Sequence, residues 1–111
     1  MTALDRAQEL VQKLEAAGVR GFVDPGLIAP PCVLFIPPNI TFGLPCGFDA
    51  TWRCPILAPV MQVAEQGTWE ELDRMLTVMA GTVDLQSADL VAYTVNGRQY
   101  PAYLLTWNEG I

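Results

Sequence analysis

Histidine is absent from this chain of 111 residues, which removes the commonest general base and the commonest metal ligand. Charge is scarce as well. Asp, Glu, Lys and Arg make up 16% of the residues, against about 25% in an average soluble domain. The bases Arg6, Lys13, Arg20, Arg53, Arg74 and Arg98 are scattered, with no two adjacent, so the chain offers nothing for phosphate to adhere to. Long apolar runs are missing too. A stretch such as Cys32 to Ile36 falls far short of the roughly 20 residues of a spanning helix, and no membrane partner is expected. Asp5, Arg6, Glu9 and Lys13 stand where a secretory segment would be apolar, so a signal peptide is not expected either. Cys32, Cys46 and Cys54 leave one thiol over in any disulfide scheme and form no CxxC pair; they read as reduced thiols of an intracellular protein. Glycines 18, 21 and 26 have the wrong spacing for a phosphate loop.

What is present is apolar surface. Hydrophobic residues are 51% of the chain. A chain of this length, read as one domain over 1–111, buries only roughly two-thirds of its extended surface on folding. With so few charges to cover the outside, some apolar surface is left for a partner. Asp and Glu number 12 against 6 Lys and Arg, a net charge of -6. An acidic wall repels nucleic acid, which is compatible with letting DNA pass and incompatible with holding it.

The chain is organised around Pro30 to Pro59. Prolines 30, 31, 37 and 38 confine the apolar run Cys32 to Ile36 to a short strand, since proline cannot donate to a sheet ladder. Being apolar throughout, that strand is expected to be covered on both faces. In the next segment Ala50, Trp52, Cys54, Ile56 and Ala58 alternate with Thr51, Arg53, Pro55 and Leu57, a half-buried strand pattern. Pro55 within it predicts a sheet edge or a bulge, and an edge is where another subunit can pair.

From the start, Thr2 and Asp5 form an acidic capping box for a helix whose apolar face holds Leu4, Ala7, Leu10, Val11, Leu14 and Ala17. Gly18 is its C-terminal cap, and Glu9 and Lys13 pair on the solvent side. Val19 to Val23 reads as a first strand, followed by a turn at Asp24, Pro25 and Gly26. Asn39 to Phe42 continues as a short strand into the loop from Gly43 to Phe48. Ile40, Phe42, Leu44 and Phe48 are too apolar for an ordinary solvated turn. Either the loop folds back over the core, or it is a subunit contact.

Thr68 and Glu71 form a capping box opening a second helix, with Trp69, Leu72, Leu76 and Met79 at helical spacing, Met75 adjacent, and Gly81 at the end. Glu70, Glu71 and Asp73 complement the helix dipole there. Leu90 to Val95 and Gln99 to Trp107 flank Asn96-Gly97, a type I′ hairpin signal because both residues tolerate positive φ. The expected fold is α+β: a small mixed or antiparallel sheet, two helices packed on one face, and a C-terminal β-hairpin. The other face of the sheet is expected to be free for neighbours. Cys54 and Cys46 lack a base partner, and Asp49 is better used pairing with Arg53 or capping a turn, so no enzyme, no catalytic residue, no metal site and no cofactor are expected.

Several features together carry a family resemblance. They are a leading helix ending Ala16-Ala17-Gly18-Val19, then Asp24-Pro25, Pro30-Pro31-Cys32-Val33, Asp49-Ala50-Thr51-Trp52 with Ala58-Pro59, and a closing Tyr-rich strand with Pro101-Ala102-Tyr103. Over nearly its whole length the chain resembles tail terminator proteins of long-tailed phages, in the short form found in phages of actinobacteria. The resemblance implies a virion protein, assembled in the host cytoplasm, that forms a ring, typically of six subunits. Such a ring caps the head-proximal end of the tail tube and stops its polymerisation. It meets the tail tube protein on one face and a head-tail connector or neck protein on the other, while DNA passes through its lumen unbound. A ring needs a head-to-tail contact between two different patches. The candidate interface residues are Ile40, Phe42, Leu44, Phe48, Trp52, Pro55 and Leu57. Rival readings are another neck or head-completion ring protein and a small α+β protein-binding module. A true enzyme would retain a ligand in a pocket near Trp52 and the cysteines.

Overall fold

Strand β4 (Phe48–Leu57) is the spine of the molecule. Its even-numbered residues Ala50, Trp52, Cys54 and Ile56 are all 0–1% exposed, as the alternation requires when one face is packed on helices. The computed structural model describes residues 2–43, 47–59 and 65–110. Around β4 the other elements are α1 (Ala3–Ala16), β1 (Gly21–Phe22), β2 (Cys32–Leu34), β3 (Asn39–Phe42), α2 (Gln66–Thr82), β5 (Leu85–Val95) and β6 (Arg98–Gly110). The strands form one 6-stranded sheet in the order β1-β2-β4-β6-β5, with β3 also paired to β4. Only β1 and β2 are parallel. Both helices lie on one face, so the α+β architecture expected from the sequence, with its C-terminal hairpin, is the one observed.

Helix α1 starts at the capping box: Asp5 N donates to Thr2 Oγ1 and Thr2 N donates to Asp5 Oδ2, both at 3.1 Å. It ends with Gly18 at φ 81°, Val19 N donating to Leu14 O and Gly18 N to Glu15 O. This is a Schellman ending, with Leu14 and Val19 both buried as its apolar contact. Gly21 lets α1 settle on β1, since a Cβ there would meet Val11 Cγ2 at 3.1 Å. Lys13 Nζ reaches Glu9 Oε1 at 3.4 Å as expected. A longer-range tie was not legible: Arg6 forks onto Glu109 of β6 at 2.9–3.2 Å and holds the start of the helix on the sheet. The carboxylate raises the Arg6 pKa further.

Helix α2 differs from expectation. It begins at Gln66 with Glu65 as the cap residue and without a side-chain cap; Thr68 N and Trp69 N both donate to Glu65 O. Thr68 is thus inside the first turn and fully buried. The buried stripe is Thr68, Leu72, Met75 and Met79; Leu72 and Met79 are as predicted, while Thr68 and Met75 stand in place of Trp69 and Leu76, which leaves Trp69 61% exposed. Gly81 does not end the helix, which runs on to Thr82. Strand β1 is shorter than Val19 to Val23, while β5 and β6 are longer than predicted and make the molecule 49 Å long. The turn between them is as read, with Asn96 at φ 52° and Gly97 at 77°.

Pro55 is not at a sheet edge. It faces Leu104 on β6 and is buried. Val33 N and Phe35 N donate to Arg20 O and Phe22 O on the β1 side, so Leu34 turns its backbone groups toward β4. Continuing the register Val33↔Ile56 by one step sets Leu34 against Pro55. The missing N–H therefore falls where β2 stops pairing and before β3 takes over at Thr51, a break in the partner strand where a proline interrupts no continuous ladder.

The far face of the sheet is not wholly free either. Cys32, Leu34, Leu57, Tyr100 and Ala102 form a second buried cluster there, with Phe22 and Ile28 packed against it. Asn96 Nδ2 donating to Pro25 O at 2.8 Å ties the covering segment to the hairpin. Asp49, Arg53 and Asn108, farther along the same face, are exposed. Asp49 and Arg53 make no ion pair among the described residues; four residues apart on one strand they are about 13 Å apart.

Truncating Arg6 and Glu109 to alanine singly and together should give a coupling of about 1–2 kcal/mol in urea unfolding, because the fork is bidentate and half-desolvated. Strictly additive losses would contradict the tie.

Candidate functional site

The seven interface candidates divide into three groups. Trp52, Pro55 and Leu57 are buried within the chain, so none of them forms an exposed contact patch. Their apolarity serves the two cores on either side of β4. Leu44 lies outside the described residues. Ile40, Phe42 and Phe48 are exposed, at 42%, 76% and 44%. Ile40 pairs with Ala50 and Phe42 with Phe48, so strand alternation puts these three on the helix-bearing face, where the helices no longer cover it. Phe42 and Phe48 meet edge to face, ring centroids 5.0 Å apart, which fixes them as one aromatic knob. The loop therefore does not fold back over the core at these positions.

Backbone groups there also lack a partner among the described residues. Ala58 N donates to Pro101 O, so even-numbered residues of β4 face β6 and odd-numbered ones face β3. By the register, Thr41 and Asn39 bond β4, while Ile40 and Phe42 turn their N–H and C=O groups outward. Among the described residues, strand β3 is thus an open edge with aromatic side chains.

On the same face an apolar pocket of about 230 Å³ opens between the start of α1 and the Phe35–Pro38 connection, with Ala3, Leu4, Val23, Pro38 and Trp52 among its walls. Trp52 stacks on Trp107, centroids 5.7 Å apart and rings 7° from parallel. The indole N–H of each is buried without an acceptor among the described residues. Leu4 was expected in the core. At 55% exposed it forms the pocket rim, because α1 turns Ala7, Leu10 and Leu14 inward instead. A second, smaller apolar site of about 60 Å³ joins Trp69, Leu72, Leu90 and Tyr103. Sequence reading passed over Trp69 as core; the stripe through Thr68 would have turned it outward.

The pocket lies beside Trp52, but no cysteine is part of its wall. Cys32 and Cys54 are buried free thiols. Ile36 N donates to Cys54 Sγ at 3.4 Å. Burial pushes the Cys54 thiol up to about 12 and the Cys32 thiol up to about 11, so neither is a nucleophile at neutral pH. Cys46 lies outside the described residues. Among the described residues, no three acidic or cysteine side chains converge to hold a metal, and no helix is long and apolar enough to cross a membrane.

In comparisons with known proteins, no family model, no curated protein and no solved structure matches this chain.

Because both buried thiols titrate higher folded than unfolded, their neutral form stabilises the fold fully below the ordinary thiol value of 9.0, and that contribution is lost as pH rises toward 11 and 12. Iodoacetamide at pH 8 should leave Cys32 and Cys54 unlabelled in the folded protein and label both in urea, as read by peptide mass mapping. Fast labelling of Cys54 in the folded state would contradict its place in the core.

Proposed function

We propose that this chain is a structural, non-catalytic virion protein that self-associates into a ring, with six subunits the expected number. The ring caps the head-proximal end of a phage tail tube and presents its opposite face to the head-tail connector or neck. The observation that carries self-association is the exposed Phe42–Phe48 knob on an open strand edge, in a chain with few charges to shield it. Contiguous exposed aromatics at an unpaired edge are association surfaces. The place in the virion rests on the family resemblance of the sequence.

The mechanism is surface complementarity. One ring face imitates a tube subunit well enough to dock, and the other fails to recruit the next tube ring, which is how growth stops. The net charge of -6 suits a lumen through which DNA slides without adhering. In this reading assembly takes place in the host cytoplasm and the finished ring stays in the tail-neck region. A neck or head-completion ring would share all of these properties except the docking partner. The Trp52 pocket favours one further reading, a monomeric module that holds an apolar side chain of another protein.

Tail tube protein polymerised alone and imaged by electron microscopy tests the role. Added at equimolar amounts, this chain should stop elongation and decorate one end of each tube. Tubes that lengthen unchanged, with no decorated ends, would exclude the terminator role.

A further inference from the structure

We infer that the Trp52 pocket is the receptor for the Phe42–Phe48 knob of a second copy of this chain. The inference deepens the self-association half of the function proposed above and does not depend on the phage half. Each copy carries both parts on one face. It cannot join them within itself, because Pro38 borders the pocket and Phe42 lies four residues farther along, about 13 Å away on an extended strand.

Size and polarity match. The pocket, about 230 Å³ and walled by apolar side chains, has room for one aromatic side chain. The Phe42–Phe48 pair supplies such a side chain, held in place by its edge-to-face contact.

Area decides how the contact is used. Ile40, Phe42 and Phe48 on one copy, with Leu4 and Val23 at the pocket of the next, are between 39% and 76% exposed. That amounts to about 500 Å² of apolar side chain, hence a contact of about 900 Å² at the usual apolar share. Stable interfaces bury roughly 1,200–2,000 Å². One knob in one pocket is therefore marginal, and two per protomer, which every closed assembly provides, are sufficient. Association is then concentration-dependent and closed.

The experiment is sedimentation velocity of wild type, of Phe42→Asp (no knob), of Leu4→Asp (spoiled pocket), and of the two variants mixed. Both substituted residues are more than half exposed, so both variants should fold, with unchanged circular dichroism. Each alone should associate at least about 30-fold more weakly than wild type, as for a central aromatic anchor. The mixture should recover a 1:1 heterodimer, since each variant retains the part that the other lacks. In ¹⁵N-labelled Phe42→Asp, adding unlabelled Leu4→Asp should shift the Trp52 indole resonance through the ring current of the inserted aromatic, with a smaller change at Trp107, which is not part of the pocket. Wild-type oligomers insensitive to both substitutions would overturn the knob and pocket while leaving the ring intact. A wild-type dimer, abolished by each variant and rescued on mixing, would support the contact and overturn the ring. A wild-type monomer at millimolar concentration would overturn both.

Discussion

Burial of β4 is the constraint on which the rest of this structure depends. Its core-facing residues are 0–1% exposed, and a strand so apolar needs both faces and both edges covered before it is stable in water. Each other element answers one part of that need. Helices α1 and α2 cover one face with Leu10, Leu14, Met75 and Met79, and the segment containing Phe22 and Ile28 covers the opposite face around Leu57. Strand β6 pairs along the full length of one edge, while β2 and β3 share the other and leave a gap at Pro55. The Arg6 fork onto Glu109 clamps the helix layer at one end.

That coverage runs out at the first residues of β4. Phe48 pairs with Phe42 beyond the reach of α1, and both remain exposed. The same shortfall opens the Trp52 pocket, because the start of α1 presents the small side chains of Ala3 and Ala7 to a large indole. An aromatic excess and an aromatic-sized deficit on one small, charge-poor molecule have a common remedy in a second copy. In the proposed account, self-association follows from the way this fold ends, whatever larger particle it serves.

Much of the fold was legible because local signals were strong and agreed with tertiary demand. The Thr2–Asp5 box, the Gly18 ending, the period-two pattern of Ala50 to Ala58 and the Asn96-Gly97 turn each act within a few residues of chain. What misled was equally physical. Thr68 looks like a cap because its hydroxyl suits one, but the helix starts earlier, at Gln66, which buries Thr68 in the first turn and turns Trp69 outward. Pro55 signals an edge only if the strand on its nitrogen side needs its N–H, and here the strand on that side changes from β2 to β3 near that residue. Of the interface candidates, Ile40, Phe42 and Phe48 were recognisable as apolar residues in a turn-rich stretch. The burial of Trp52, Pro55 and Leu57 depends on segments distant in sequence, as does the pocket rim at Leu4.

Hydrogen–deuterium exchange followed over a wide range of protein concentration tests the central claim most directly. Amides in Asn39–Phe42 and in the first turns of α1 should become protected together as concentration rises, while the free edge of β5 continues to exchange at its original rate. Protection that appears along Leu85–Val95 instead, or in neither region, would contradict an assembly built on the knob and the pocket.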